Sequence, residues 1–218
     1  MKQQITTTFI RGFLAGVLIA LGGLFYIKTR EYTGNIVLAA FLYGISMVFI
    51  TYFNFFLYTS KVCVLFDIWN KKGSLHISLK LLIGYVSNIL GVFLISLLFK
   101  LAIDMPDFVD TLIETRLESK WYELIIRGFL CGLVIYFGGV AKKRFTSDLP
   151  QLTIIFLCVG CYITCGFDNS IVTSFYFSFA ENVISTIPSL LLISLGNALG
   201  GLAIPALTII LNKFNDIE

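Results

Sequence analysis

Charge is what this chain has least of. Lysine, arginine, aspartate and glutamate make up 13% of its 218 residues, about half the share found in soluble domains. A chain so poor in charge cannot clothe a globule of this length in a solvated surface, so a separate soluble catalytic unit is excluded. The net charge of +3 is too small to hold a polyanion, which removes nucleic acid as a partner. There is a single histidine, His76, at the start of an apolar stretch, where it reads as a solvated loop residue. Five cysteines, four of them inside apolar runs, do not make a disulfide framework. Cys158, Cys161 and Cys165 share one helical face but lack further ligands, so neither a metal nor any other cofactor is expected. No Asn-Pro dipeptide occurs, which excludes the paired Asn-Pro-Ala loops of water and glycerol channels.

What is present is hydrophobic: 57% of the residues, with 21 phenylalanines. The apolar residues form runs of about 20, the length that crosses a hydrocarbon core as a helix. Six spans are predicted, at residues 9–27, 35–59, 76–102, 121–141, 149–167 and 186–211. A strand barrel would show short alternating segments instead. The fold class is therefore an all-α polytopic membrane protein, with residues 1–218 forming a single membrane domain in the lipid bilayer. The larger ammonium transporters need about eleven spans, for which the chain is too short.

Lys2, Lys71, Lys72, Lys142, Lys143, Arg144 and Lys213 fall on one side of this arrangement, against Lys28, Arg30, Lys100, Arg116 and Lys120 on the other. The bias places both termini in the cytoplasm. An acidic stretch between 103 and 120 reads as an external connector, either a solvated loop or a short amphipathic helix.

The sequence repeats itself. Ile10-Arg11-Gly12-Phe13-Leu14-Ala15-Gly16 recurs as Ile126-Arg127-Gly128-Phe129-Leu130-Cys131-Gly132. Leu57-Tyr58-Thr59-Ser60 pairs with Ile171-Val172-Thr173-Ser174, and Asn88-Ile89-Leu90-Gly91 pairs with Asn197-Ala198-Leu199-Gly200. Residues 1–102 and 110–211 thus read as two copies of one three-span unit. An odd number of spans turns the second copy upside down, the inverted-repeat plan of transporters and channels, aquaporins included. The repeat also argues that the first span is a true span rather than a cleaved signal peptide. The four-residue spacing of Gly12/Gly16, Gly128/Gly132 and Gly196/Gly200 suits close helix packing, with Asn88 and Asn197 in the same seams.

In each copy the middle span reaches a polar Thr-Ser, Thr59-Ser60 or Thr173-Ser174, followed by a short apolar stretch at 62–69 or 175–180. Two helices that unwind partway and restart are expected, since a break is tolerable only where it lines a cavity. The alternative is that Thr-Ser merely ends each span. The expected substrate path is Thr59, Asn169, Asp168, Thr173 and Asn54, with Asn54 taken as the counterpart of Asp168. A carboxylate at that depth marks either an ion pathway or a structural pair with a helix end or Arg127. Phe53, Phe55, Tyr58 and Phe175 around the breaks are candidates for a hydrophobic constriction, with lipid-facing or core packing as the competing role.

The sequence resembles the formate/nitrite transporter family over nearly its whole length. Gly166-Phe167-Asp168-Asn169-Ser170 is similar to that family's Gly-Phe-Glu-His-Ser, and Leu195 to Gly201 matches its Leu-Gly-Asn-x-x-Gly-Gly. Arg127 to Gly132 is close to Arg-Gly-x-Leu-Cys-Asn, and Leu57 to Lys61 is close to Leu-Phe-Thr-Ser-Asn. The resemblance implies a homopentamer, one path per protomer, and two broken helices in each. The chain departs from the family at Asn169 in place of the central histidine and at Gly132 in place of its supporting asparagine. Arg116 stands for a lysine, and Lys61 for an asparagine.

Those departures leave the sign of the cargo open. Without an imidazole beside it, an ionised Asp168 about 5 Å from a passing anion opposes it by ~3 kcal/mol at an effective dielectric of 20. The balance then leans to a small monovalent cation, ammonium or ammonia. Lys61 and Arg116 as vestibule charges argue the other way, for a weak-acid anion such as formate, nitrite or hydrosulfide. A non-conducting membrane scaffold or sensor is the remaining reading. The resemblance places the protein in a bacterial cytoplasmic membrane.

Overall fold

The computed structural model describes residues 2–62 and 74–215. Lys71, Lys72 and the apolar stretch expected after Val62 lie outside the described residues. The described elements are all helical: α1 (Lys2–Thr33), α2 (Ile36–Tyr52), α3 (Tyr58–Lys61), α4 (Ser74–Ala102), α5 (Phe108–Leu117), α6 (Trp121–Arg144), α7 (Asp148–Thr164), α8 (Ser170–Phe177) and α9 (Ile187–Asn215). A 3₁₀ turn, Ile184–Thr186, leads into α9.

Helices α1, α4, α6 and α9 are long and apolar enough to cross a membrane. Helices α2 and α7 are not, at 17 residues each. A helix that short rises about 25 Å, less than the ~30 Å of a hydrocarbon core.

Both short helices stop before the predicted spans end, and both stop the same way. Asn54 and Gly166 have φ of 52° and 71°, and a left-handed residue cannot continue a right-handed helix. The Phe55 N–H then reaches back to the Ile50 carbonyl at 2.9 Å, as the Phe167 N–H does to Tyr162 at 2.8 Å. These bonds satisfy carbonyls that the helix end would leave bare.

The long helices pair by backbone contact. A Cβ on Gly16 would run into the Asn88 carbonyl, and one on Gly91 into the Phe13 carbonyl, so α1 and α4 touch through their main chains. Gly132 meets the Asn197 carbonyl and Gly200 the Phe129 carbonyl in the same manner, joining α6 to α9. Gly128 lies in that seam too, 2.6 Å from the Ile193 carbonyl at its Cβ position. At these glycines the helices approach to main-chain contact. At the centre α2 lies against α7, with Gly44 facing Phe156 and Gly160 facing Phe41.

The connector between α4 and α6 is partly a helix rather than a solvated loop. In α5, Val109 and Ile113 fall one turn apart and are both buried, which gives the helix an inner face against α8. That placement carries Arg116 to the second break.

Candidate conduction site at the two helix breaks

Each break is held by one asparagine. The Asn88 Oδ1 accepts the Tyr58 N–H at 2.9 Å, while its Nδ2 donates to the Gly12 and Phe56 carbonyls at 2.7 and 2.8 Å. The Asn197 Oδ1 accepts the Ser170 N–H at 2.8 Å, and its Nδ2 donates to Gly128 and Asp168 at 2.8 and 2.7 Å. A further bond ties each break to a long helix, from the Phe56 N–H to Arg11 at 3.2 Å and from the Asp168 N–H to Arg127 at 3.3 Å. Asn88 and Asn197 therefore do more than pack: they supply the partners that unwound backbone must find when water is absent.

These matched bonds fix which residues correspond. Asn54 pairs with Gly166, Phe56 with Asp168, Leu57 with Asn169, and Tyr58 with Ser170. The sequence pairing of Asn54 with Asp168 is thus two residues out of register, as is the pairing of Thr59-Ser60 with Thr173-Ser174. Neither Thr-Ser ends a helix. Thr59 and Ser60 sit inside α3, and Thr173 and Ser174 inside α8, because the breaks fall upstream at the left-handed residues.

Leu57 and Asn169 begin the restarted helices with nearly the same backbone angles, φ −96° and ψ 120° against φ −95° and ψ 123°. Asn169 is buried, and its Oδ1 accepts the N–H groups of Ile171 and Val172 at 3.0 and 3.4 Å. That N-cap role fixes the orientation of the amide, so the Nδ2 faces the other way, 3.4 Å from the Thr59 Oγ1. The contact brings two predicted path residues together from opposite breaks. What Asn169 presents there is a donor.

Asp168 is buried between two guanidinium groups. Its Oδ1 accepts the Arg116 Nε–H at 2.7 Å, and its Oδ2 lies 3.1 Å from the Arg127 Nε. Arg116 is itself held by the Leu112 carbonyl at 2.6 Å and by the Tyr176 ring, 5.1 Å from its centroid. Arg127 is held by the Ser119 hydroxyl at 2.5 Å. Of the two roles open to Asp168, the structure gives it the paired one: it lines neither cavity, and the cluster of one carboxylate and two arginines carries a net positive charge.

Two cavities flank this centre. The larger, about 360 Å³, is walled by Asn54, Phe55, Leu57 and Lys61 from the first break and by Ile155, Cys158 and Tyr162 from α7. The smaller, about 170 Å³, is lined by Tyr26, Arg116, Tyr162, Asn169, Thr173 and Tyr176 among others. Lys61 and Arg116 therefore belong to different cavities, one basic side chain in each.

Of the expected constriction residues, only Phe55 faces a cavity. Phe53 is 63% exposed and stacked between Phe49 and Phe55. Tyr58 packs edge-on against Tyr85 at 4.8 Å. Phe175 is wholly buried, filling the space left by Gly23 and meeting Phe99, Tyr176 and Phe179. It is core. His76 lies within α4 and hydrogen-bonds Gln4 at 2.8 Å. Tyr162 and Leu57 are wall residues the sequence reading did not single out, since one aromatic or leucine in an apolar span carries no mark. The register of the breaks would have singled out Tyr162, because it stands where the first half has Ile50.

The helical fold, the paired breaks and the cavities between them describe a membrane channel. The formate/nitrite transporter family model matches residues 1–211. Among solved structures, an "FNT family ion channel" superposes with a TM-score of 0.82 at 17% identity, covering 94% of this chain and 89% of that one. A "pentameric formate channel with formate bound" superposes with a TM-score of 0.84 at 16% identity, covering 98% and 99%. At such identities the likeness is one of fold. No curated relative matches. The chain belongs to the formate/nitrite transporter family, whose members are channels and not enzymes.

Proposed function

We propose that this protein conducts a small monovalent weak-acid anion of the formate or nitrite type between the two cavities, past Asn169 and Thr59. The observation that carries this reading is the seat of Asp168 between Arg116 and Arg127. The lean toward ammonium supposes that, with the histidine and its partner absent, an ionised Asp168 faces the path alone. With two guanidinium groups against that carboxylate, the ~3 kcal/mol that a unit charge exerts at about 5 Å changes sign and attracts an anion. The fixed donor end of Asn169 acts in the same direction, as do Lys61 in one cavity and Arg116 in the other.

In this reading α2 with α3 and α7 with α8 each complete one interrupted crossing, giving six spans in two inverted halves. The matching hydrogen bonds of the two breaks support that symmetry. A homopentamer with one path per protomer is proposed by analogy with the pentameric formate channel of the same fold. Both termini are assigned to the cytoplasm from the lysine and arginine bias.

Flux into proteoliposomes tests the sign of the cargo. Formate or nitrite is expected to give a fast transient and ammonium little. The reverse result restores the cation reading. The absence of any transient leaves the non-conducting scaffold.

A further inference from the structure

Tyr162 alone among the described residues lines both cavities. It lies near the end of α7, where its carbonyl accepts the Phe167 N–H, so the ring is anchored at the edge of the second break. The residue is 1% exposed, yet its hydroxyl has no hydrogen-bond partner among the described residues. Thr173, equally buried and lining the smaller cavity, has an unpartnered Oγ1 as well. Ser170 and Tyr43 carry further hydroxyls of this kind, but neither residue lines a cavity.

A buried hydroxyl without a partner destabilises the fold that carries it. Packing does not call for one here. Phenylalanine has the same ring, and the corresponding position in the first half, Ile50, accepts the equivalent backbone bond with no polar atom in its side chain. A donor kept at such a cost, on the residue shared by the two cavities and with Asn169 on the wall of the smaller one, serves whatever passes.

We propose that the hydroxyls of Tyr162 and Thr173 are the specificity-determining pair of the channel, replacing hydration water on an oxyanion as it moves from one cavity to the other. The inference rests on the anion reading above and names the class of anion. A carboxylate or nitrite offers two oxygens, each able to accept from a hydroxyl, with the Asn169 Nδ2 as a third donor. Hydrosulfide presents one diffuse sulfur, a weak acceptor, and gains little from the same groups. Selection by donors that stand in for the hydration shell is the general means by which narrow pores discriminate.

The test compares formate and hydrosulfide flux through the full-length protein in proteoliposomes, for the native chain, Tyr162→Phe and Thr173→Val. Both substitutions keep the shape of the side chain: Phe drops the hydroxyl, and Val replaces it with a methyl group. The expected result is a fall of about tenfold in the formate-to-hydrosulfide flux ratio for Tyr162→Phe, the effect of one hydrogen bond lost at the barrier. Thr173→Val is expected to shift the ratio in the same direction, and both variants are expected to melt no lower than the native protein. A native chain that conducts formate, with an unchanged ratio in Tyr162→Phe, overturns the role of the hydroxyl and leaves the anion reading standing. An equal loss of both fluxes also overturns it. A native chain that conducts neither anion overturns the anion reading itself.

Discussion

Asn88 and Asn197 make the same three hydrogen bonds at the two breaks. Each accepts from the first N–H of a restarted helix and donates to one carbonyl in the break and one in a neighbouring long helix. One side chain thus closes off the unwound backbone and fastens it to the glycine seam beside it.

Removing that side chain leaves one N–H and one carbonyl of the break unmatched and takes a second bond from a helical carbonyl. Each unmatched group costs ~1–3 kcal/mol, so Asn197→Ala is expected to lose about 3 kcal/mol or more. Thermal unfolding of the assembled protein in detergent measures it, with Asn88→Ala expected to fall by a similar amount. Native-like melting of both variants would show that the breaks stand without the clamp.

Arg116 joins the second break to the smaller cavity, and its charge keeps the Asp168 cluster positive. Arg116→Gln brings that cluster to neutrality and exposes the carboxylate to the cavity side. Formate flux is expected to fall by tenfold or more, from an effect of ~3 kcal/mol per unit charge at about 5 Å. Arg116→Lys is expected to retain most of it. A rise in ammonium flux in Arg116→Gln would report the same change of sign from the cation side.

Asn169 cannot titrate, whereas an imidazole does so near pH 6.5. In Asn169→His the imidazolium form attracts an anion, so the ratio of variant to native formate flux is expected to rise as pH falls through about 6.5. Dividing by the native flux at each pH removes the protonation of formate itself. A flat ratio would place the side chain away from the path. Adding Gly132→Asn beside it is expected to impair folding, since a side chain at Gly132 collides with the Asn197 carbonyl.

The all-helical membrane fold was readable because long apolar runs are a local signal. The breaks were readable as breaks, but their register was not. Thr-Ser recurs by composition two residues away from the true correspondence, which is set by the positive φ of Asn54 and Gly166. The partners of Asp168 illustrate a different limit. Arg116 was visible as a basic residue and Asp168 as a buried acid, yet they lie 52 positions apart, and only the course of α5 brings them together. Phe175 reads from its place after the second break as either a constriction or a core residue, and only helical geometry, which turns it toward Gly23, decides for the core. The hydroxyl of Tyr162 is legible only once both cavities are in view.

Leu57 holds its place in the first break with no side-chain cap, at backbone angles within a few degrees of those of Asn169. The fold therefore asks nothing chemical of that position. Its shape is maintained from outside, by a neighbouring amide and the main chain, and the residue at the centre is spare. Such an arrangement leaves that side chain free to vary while the break around it keeps its shape.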